Sequence, residues 1–129
     1  MAWVGLVTLG AVVQALFFGV LVGRARARFG VHAPATTGNE TFERYFRVQA
    51  NTNETLIIFL PSLWLAGWYG RPAWAAILGA IYLIGRMLYL RSYVRDPKQR
   101  SAGYALSLLP TVALLLMAVV GLVRVLLRG

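Results

Sequence analysis

Cysteine is missing from the chain, which rules out a disulfide framework, a thiolate metal site and a cysteine nucleophile. Histidine occurs once, as His32, so a histidine-built metal centre or a Ser-His-Asp triad would rest on a single side chain. No metal is expected. Acidic residues are also scarce. Glu40, Glu43, Glu54 and Asp96 stand against 13 basic residues, for a net charge of +9, and twelve of those 13 are arginine. Charged residues make up only 13% of the chain, where a soluble domain carries about 25%. In their place 59% of the residues are hydrophobic, which points to a membrane protein, and a length of 129 residues suits one domain.

The excess of positive charge does not read as a nucleic-acid surface, because the bases sit at the ends of apolar runs. Arg24, Arg28, Arg71, Arg124 and Arg128 fit positive-inside topology and contact with anionic lipid headgroups. Trp3 to Gly23 carries no charge and is long enough to cross a bilayer core of about 30 Å. Arginines follow this run instead of preceding it, unlike a signal peptide. The breakers Gly30, Pro34 and Gly38 mark a loop, and "GRP", Gly70 to Pro72, marks a tight connection. Thr41 is expected to cap the second helix, with Glu43 in its first turn. Pro61 is expected to kink it, as membrane helices tolerate.

The expectation is an all-α, integral membrane four-helix bundle in one domain, with helices over about 3–27, 42–69, 73–95 and 101–127. The arginine-rich loops 24–41 and 95–101 are expected on the cytoplasmic side and both termini opposite. Gly19-x-x-x-Gly23 reads as a close-packing motif.

Polar residues concentrate where lipid would not tolerate them. With Arg47 at zero on a helical wheel, Asn51 falls at about +40°, Glu54 at about −20°, Glu43 at about −40° and Arg44 at about +60°. Five polar groups thus share one face. In the third helix Tyr82, Arg86, Tyr89 and Tyr93 are spaced +4, +3 and +4 and stack on one face. An arginine inside an apolar span is a functional-site candidate by default; its alternative is a structural pair with Glu43 or Glu54. Guanidinium forks, an amide, a carboxylate and phenols suit a small zwitterion bearing carboxylates. A purely structural network is the alternative.

The stretch "FERYFRVQANTNETLIIFLPSLWLAGWY", Phe42 to Tyr69, resembles the MAPEG superfamily, membrane-associated proteins of eicosanoid and glutathione metabolism. "IGRMLYLRSYVRDPKQRSAGY", Ile84 to Tyr104, is similar to its second signature, and the likeness extends through helix 1 and "PATTG". The match is nearest to the microsomal glutathione S-transferases and leukotriene-C synthases. The resemblance implies a homotrimer with glutathione as co-substrate at the subunit interface. It implies that Arg47, Asn51, Glu54, Tyr89 and Tyr93 hold glutathione, that Arg26 reaches it from the end of helix 1, and that Arg100 stabilises the thiolate. Glu43, Arg44, Arg86 and Tyr82 are left as supporting residues.

Two departures weigh against leukotriene synthesis: Thr55 where that enzyme has tyrosine, and Ala27 where it has a second arginine. The expected function is a membrane glutathione S-transferase in detoxification. It would act on hydrophobic electrophiles from lipid, with glutathione-dependent peroxidase activity toward lipid hydroperoxides possible for the same site. The alternatives are a non-catalytic lipid-binding or scaffold member of the same fold and a small proton-coupled transporter.

Overall fold

A computed structural model describes residues 1–129 as four long helices. Helix α1 spans Ala2–Phe29, α2 Glu40–Tyr69, α3 Pro72–Arg95 and α4 Ser101–Arg128, with a 3-10 turn over Pro97–Gln99 before α4. Even the 24 residues of α3 exceed the span of a bilayer core at about 1.5 Å per residue. Three stretches are long and apolar enough to cross a membrane: α1, α3, and α4 with the turn before it. The longest helix, α2 at 30 residues, is not among them, because its first half carries the polar stripe. The four expected helices are present, and the polar first half expected of the second one sets α2 apart. Three helices supply the apolar length and α2 supplies polarity.

Helix ends follow local chemistry. Gly30 adopts the left-handed conformation, φ 68°, and closes α1. Asn39, and not Thr41, caps α2: its extended backbone places Oδ1 3.0 Å from the Phe42 amide, while Thr41 already lies in the first turn. Glu40 and Glu43 both fall in that turn, where the helix dipole favours them. Helical hydrogen bonding continues across Pro61 and Pro110.

Helices α1 and α4 each pack on both α2 and α3, which therefore form the middle pair. The main core gathers Val4, Ala11, Phe59, Leu63, Ala66 and Leu114 among others from all four helices. Only 29 of 129 residues are buried, and the outer surface is apolar, with Leu16 at 70% and Ile57 at 76% exposure, as a lipid- or partner-facing bundle requires.

Helices α3 and α4 approach closely at two points. Pro110 has no N–H to return to the carbonyl of Leu106, and α3 presses its side-chain-free Gly85 against that peptide. A Cβ at Gly85 would lie 2.6 Å from the Leu106 carbonyl carbon. One turn on, Gly103 of α4 sits directly against the Tyr89 backbone. These glycines, and not the Gly19-x-x-x-Gly23 pair, carry close packing within the subunit. A Cβ at Gly23 would meet nothing within 4 Å, and one at Gly19 only the end of the Gln49 side chain.

Gly85→Ala is expected to destabilise the bundle by about 1–3 kcal/mol, through backbone displacement that a flexible side chain could not absorb. Gly23→Ala should be neutral or slightly stabilising in the monomer fold. Thermal unfolding of the two variants in detergent checks the contrast.

Candidate functional site

The α3 stripe faces the neighbouring helices, most deeply at Tyr82 and Arg86. Tyr82, Arg86 and Tyr89 are buried and Tyr93 is half-buried. Tyr82 stacks on Phe59 with ring centroids 3.7 Å apart and shares a 2.8 Å hydrogen bond with Thr55. Arg86 is 0% exposed and reaches two other helices. Its Nε donates to Ser107 Oγ on α4 at 2.8 Å. Its Nη1 donates to Asn51 Oδ1 at 2.7 Å and Thr52 Oγ1 at 3.3 Å on α2. The guanidinium also lies 4.4 Å from the Tyr89 ring centroid and 5.9 Å from that of Tyr82.

The alternative of a structural pair between Arg86 and Glu43 or Glu54 does not form, since neutral oxygens and ring faces take the place of a carboxylate. The physical reason is rotation of α2. Its inner edge, at positive wheel angles, carries Asn51 toward Arg86. Its outer edge, at zero and negative angles, carries Arg47 and Glu54 away. Arg86 Nη2 is buried without a partner.

The Arg86 contact orients Asn51. Because Oδ1 accepts from a guanidinium that can only donate, the Asn51 amide nitrogen is left for other partners. Asn51 lines an open cleft of about 410 Å³ with Arg47, Tyr89, Tyr93, Arg100 and Tyr104. Three helices supply these side chains. Tyr89 is centred 5.4 Å from Tyr93 and 6.3 Å from Tyr104, which makes an aromatic wall. Arg100 stands at the start of α4 with Nη1 donating to the Pro97 carbonyl at 3.0 Å, and its side chain is exposed to the cleft. Glu54 does not line the cleft directly. It stands beside Arg47, with Oε1 3.6 Å from Nη1, and both side chains are more than half exposed. That is the only ion pair in the chain, and it faces outward.

Below the cleft an apolar groove of about 290 Å³ runs between α2 and α4, lined by Thr55, Ile58, Leu108, Val112 and Leu115. Tyr104 borders both spaces. A polar, cation-rich cleft thus opens beside a groove suited to an apolar group.

Other expected residues lie elsewhere. Arg44 belongs to the α3 end: its Nη1 donates to the carbonyls of Val94 and Arg95 at 3.1 and 3.3 Å, closing the α3 C-terminus. Glu43 makes no ion pair. Arg26 lies outside the cleft. Its Nη1 bonds the Ala35 carbonyl at 2.7 Å and the Val31 carbonyl at 3.5 Å, over the Phe42 ring. Sequence reasoning missed Tyr104, Ser107 and Thr52. Ser107 had a visible signal, as a hydroxyl in an apolar run three residues after Tyr104 and four before Thr111.

The sequence model of the MAPEG family matches residues 4–120. The chain belongs to the MAPEG family. A Synechocystis protein of uncharacterised function is 48% identical over 120 residues, covering 93% of this chain and 88% of that one. Human microsomal glutathione S-transferase 2 is 41% identical, over 84% of this chain and 74% of its own. Leukotriene C4 synthase of Cavia porcellus is 40% identical, over 88% and 75%. MAPEG proteins are membrane helical bundles, in keeping with the all-α fold and the three apolar spans.

Ser107→Ala removes the partner of Arg86 Nε inside an apolar surround. It is expected to cost about 1–3 kcal/mol of stability, the penalty of an unmet buried donor. Thermal unfolding in detergent reads the loss, and Ser101→Ala at the exposed rim serves as the near-neutral control.

Proposed function

We propose that this MAPEG chain is a membrane glutathione S-transferase acting on hydrophobic electrophiles. The observation that carries the reading is the convergence of Arg47 and Asn51 from α2, Tyr89 and Tyr93 from α3, and Arg100 from the turn before α4 on one open cleft. The donor set fits glutathione. Two arginines and the Asn51 amide can take its carboxylates and carbonyls, and Glu54 at the rim can take its ammonium. The adjoining groove suits the apolar body of the second substrate.

Glutathione supplies the sulfur nucleophile: a C–S bond forms as the carbon–halogen bond of an aryl halide breaks, and halide leaves. The chain's task is to hold that sulfur as thiolate. A free thiol has a pKa of about 8.5, and a neighbouring guanidinium lowers it, releasing the proton to solvent. Arg100 fills this role, since its guanidinium lies in the cleft with no carboxylate beside it. Arg47, Asn51, Tyr89 and Tyr93 position the tripeptide, Arg86 holds the Asn51 amide in its donor orientation, and Tyr82 and Thr55 brace α3 against α2. The same thiolate site serves a peroxidase reaction, in which one hydroperoxide and two glutathiones give one alcohol, one water and one disulfide.

Assembly as a homotrimer completes the reading. In its own chain Arg26 is turned away from the cleft, and the exposed outer edge of α2, with Arg47, Glu54, Ile57 and Ile58, suits a second copy. Arg26 of a neighbouring copy then supplies a further cation to the cleft. The arginine-rich helix ends, and the cleft beside them, lie on the cytoplasmic side.

Purified protein with glutathione and chlorodinitrobenzene is expected to form the conjugate. Arg100→Ala should lower kcat about ten- to a hundredfold, the scale of a lost charge-assisted hydrogen bond, and leave the glutathione Kd within about threefold. Arg47→Ala should instead raise the Kd by about tenfold or more. Tight glutathione binding without turnover on electrophiles or hydroperoxides would favour the non-catalytic scaffold. Absence of glutathione binding would reject both.

A further inference from the structure

A second concentration of arginine lies away from the glutathione cleft and shares none of its residues. Arg24 and Arg28 stand one turn apart on α1, and Arg91 and Arg95 one turn apart on α3. They line two adjoining cavities of about 220 and 500 Å³. Leu21 and Tyr45 border both, so the two form one groove between α1 and α3 with α2 as its floor. All four arginines are exposed, and none has a carboxylate within 4.0 Å. The groups facing them do not relieve this. Arg44 adds another guanidinium at the α3 terminus, Glu43 on α2 pairs with none of them, and the Asp96 side chain is engaged by the Lys98 amide. Helix C-terminal dipoles offset part of the repulsion, but four or five cations share the space without an anion.

Neutral donors border the same groove. Ser92 is 7% exposed, borders the larger cavity, and its hydroxyl makes no hydrogen bond in the chain. Tyr45 lines both cavities, and its hydroxyl likewise makes no hydrogen bond within the chain. Toward the bundle centre the groove turns apolar. Leu88 lines it, and Ile84, Ile77 and Trp74 continue an exposed apolar strip along α3. Guanidinium and hydroxyl donors at the end of two membrane-spanning helices, above an apolar strip, match a phosphate group joined to acyl chains.

We propose that the α1–α3 groove is a binding site for one phospholipid with a net anionic headgroup. Arg24, Arg28, Arg91 and Arg95 surround the phosphate, the Tyr45 and Ser92 hydroxyls donate to it, and an acyl chain lies along Leu88 and Ile84. The lipid comes from the leaflet at the arginine-rich end of the bundle. The site is independent of glutathione chemistry.

Native mass spectrometry of the full-length protein in detergent tests it, using phosphatidylglycerol and phosphatidylcholine of identical acyl chains. The wild type should bind phosphatidylglycerol about tenfold or more tightly than phosphatidylcholine. Each arginine near an anionic headgroup is worth about fivefold, so Arg24→Gln with Arg28→Gln, or Arg91→Gln with Arg95→Gln, should each remove most of that preference. Arg71→Gln with Arg124→Gln, which alters arginines lining a cavity at the opposite end of the bundle, should leave it intact. The two groove doubles lie on different helices, so one decides if the other fails to fold, and Tyr45→Phe gives a milder third reading of about threefold.

Undiminished preference in the folded groove variants, or equal loss in the opposite-end double, would overturn the site. Equal binding of the two lipids by the wild type would do the same. Inorganic phosphate displacing no lipid at millimolar concentration is expected; tight phosphate binding without lipid binding would assign the groove to a soluble anion and overturn the lipid.

Discussion

A guanidinium buried in the middle of a membrane bundle must find its partners inside the protein, and the arrangement of three helices follows from how Arg86 finds them. Moving such a group into a bilayer centre costs about 3 kcal/mol on insertion scales. Three hydrogen bonds and two aromatic faces offset that cost without any carboxylate. Each partner is a constraint on geometry. Ser107 sets the rotation of α4, Asn51 and Thr52 set that of α2, and Tyr82 and Tyr89 flank the charge from its own helix. Stacking of Tyr82 on Phe59 and its bond to Thr55 hold the same rotation one turn further along.

The cleft is a consequence of that rotation. With Asn51 turned inward, its neighbours on the wheel divide: Arg44 swings to the α3 terminus, and Arg47 and Glu54 go to the open side. The approach of α3 to α4 through Gly85 and Gly103 brings Tyr89 and Tyr104 to one wall and puts Arg100 at its mouth. A polar site and a stable membrane bundle are therefore compatible. The same side chains that satisfy the buried charge also shape the cleft, and the remaining polar groups reach its opening instead of lipid.

Much of this was legible in the residues. Four helices followed from apolar run lengths and the breakers at Gly30, Pro34 and Gly70, and the inward face of α3 followed from the spacing of Tyr82, Arg86, Tyr89 and Tyr93. The stripe on α2 was also visible, as were the signatures shared with MAPEG proteins. The failures have local causes. Thr41 and Asn39 are both good caps, and choosing between them requires knowing where the loop returns to the bundle. An acid was one of the two readings open for Arg86, because opposite charge is the strongest pairing a linear reading can offer. A wheel shows which residues share a face of one helix, but not which edge of that face meets the next helix.

The sequence by itself determined that this chain is helical, suited to lipid, built around polar faces on α2 and α3, and of MAPEG type. Those properties depend on periodicity, run length and residue chemistry, which are local quantities. Only the tertiary structure decided that Arg86 is held by neutral oxygens, that Asn51 presents its amide nitrogen, and that Tyr104 joins the polar cleft to an apolar groove. It also decided that four arginines from α1 and α3 border one groove. The reason is that a helix can turn about its axis without changing its own hydrogen bonds, so its sequence leaves that angle open. Packing against α3 sets it, through backbone contacts at two glycines and donors that would otherwise remain unmet.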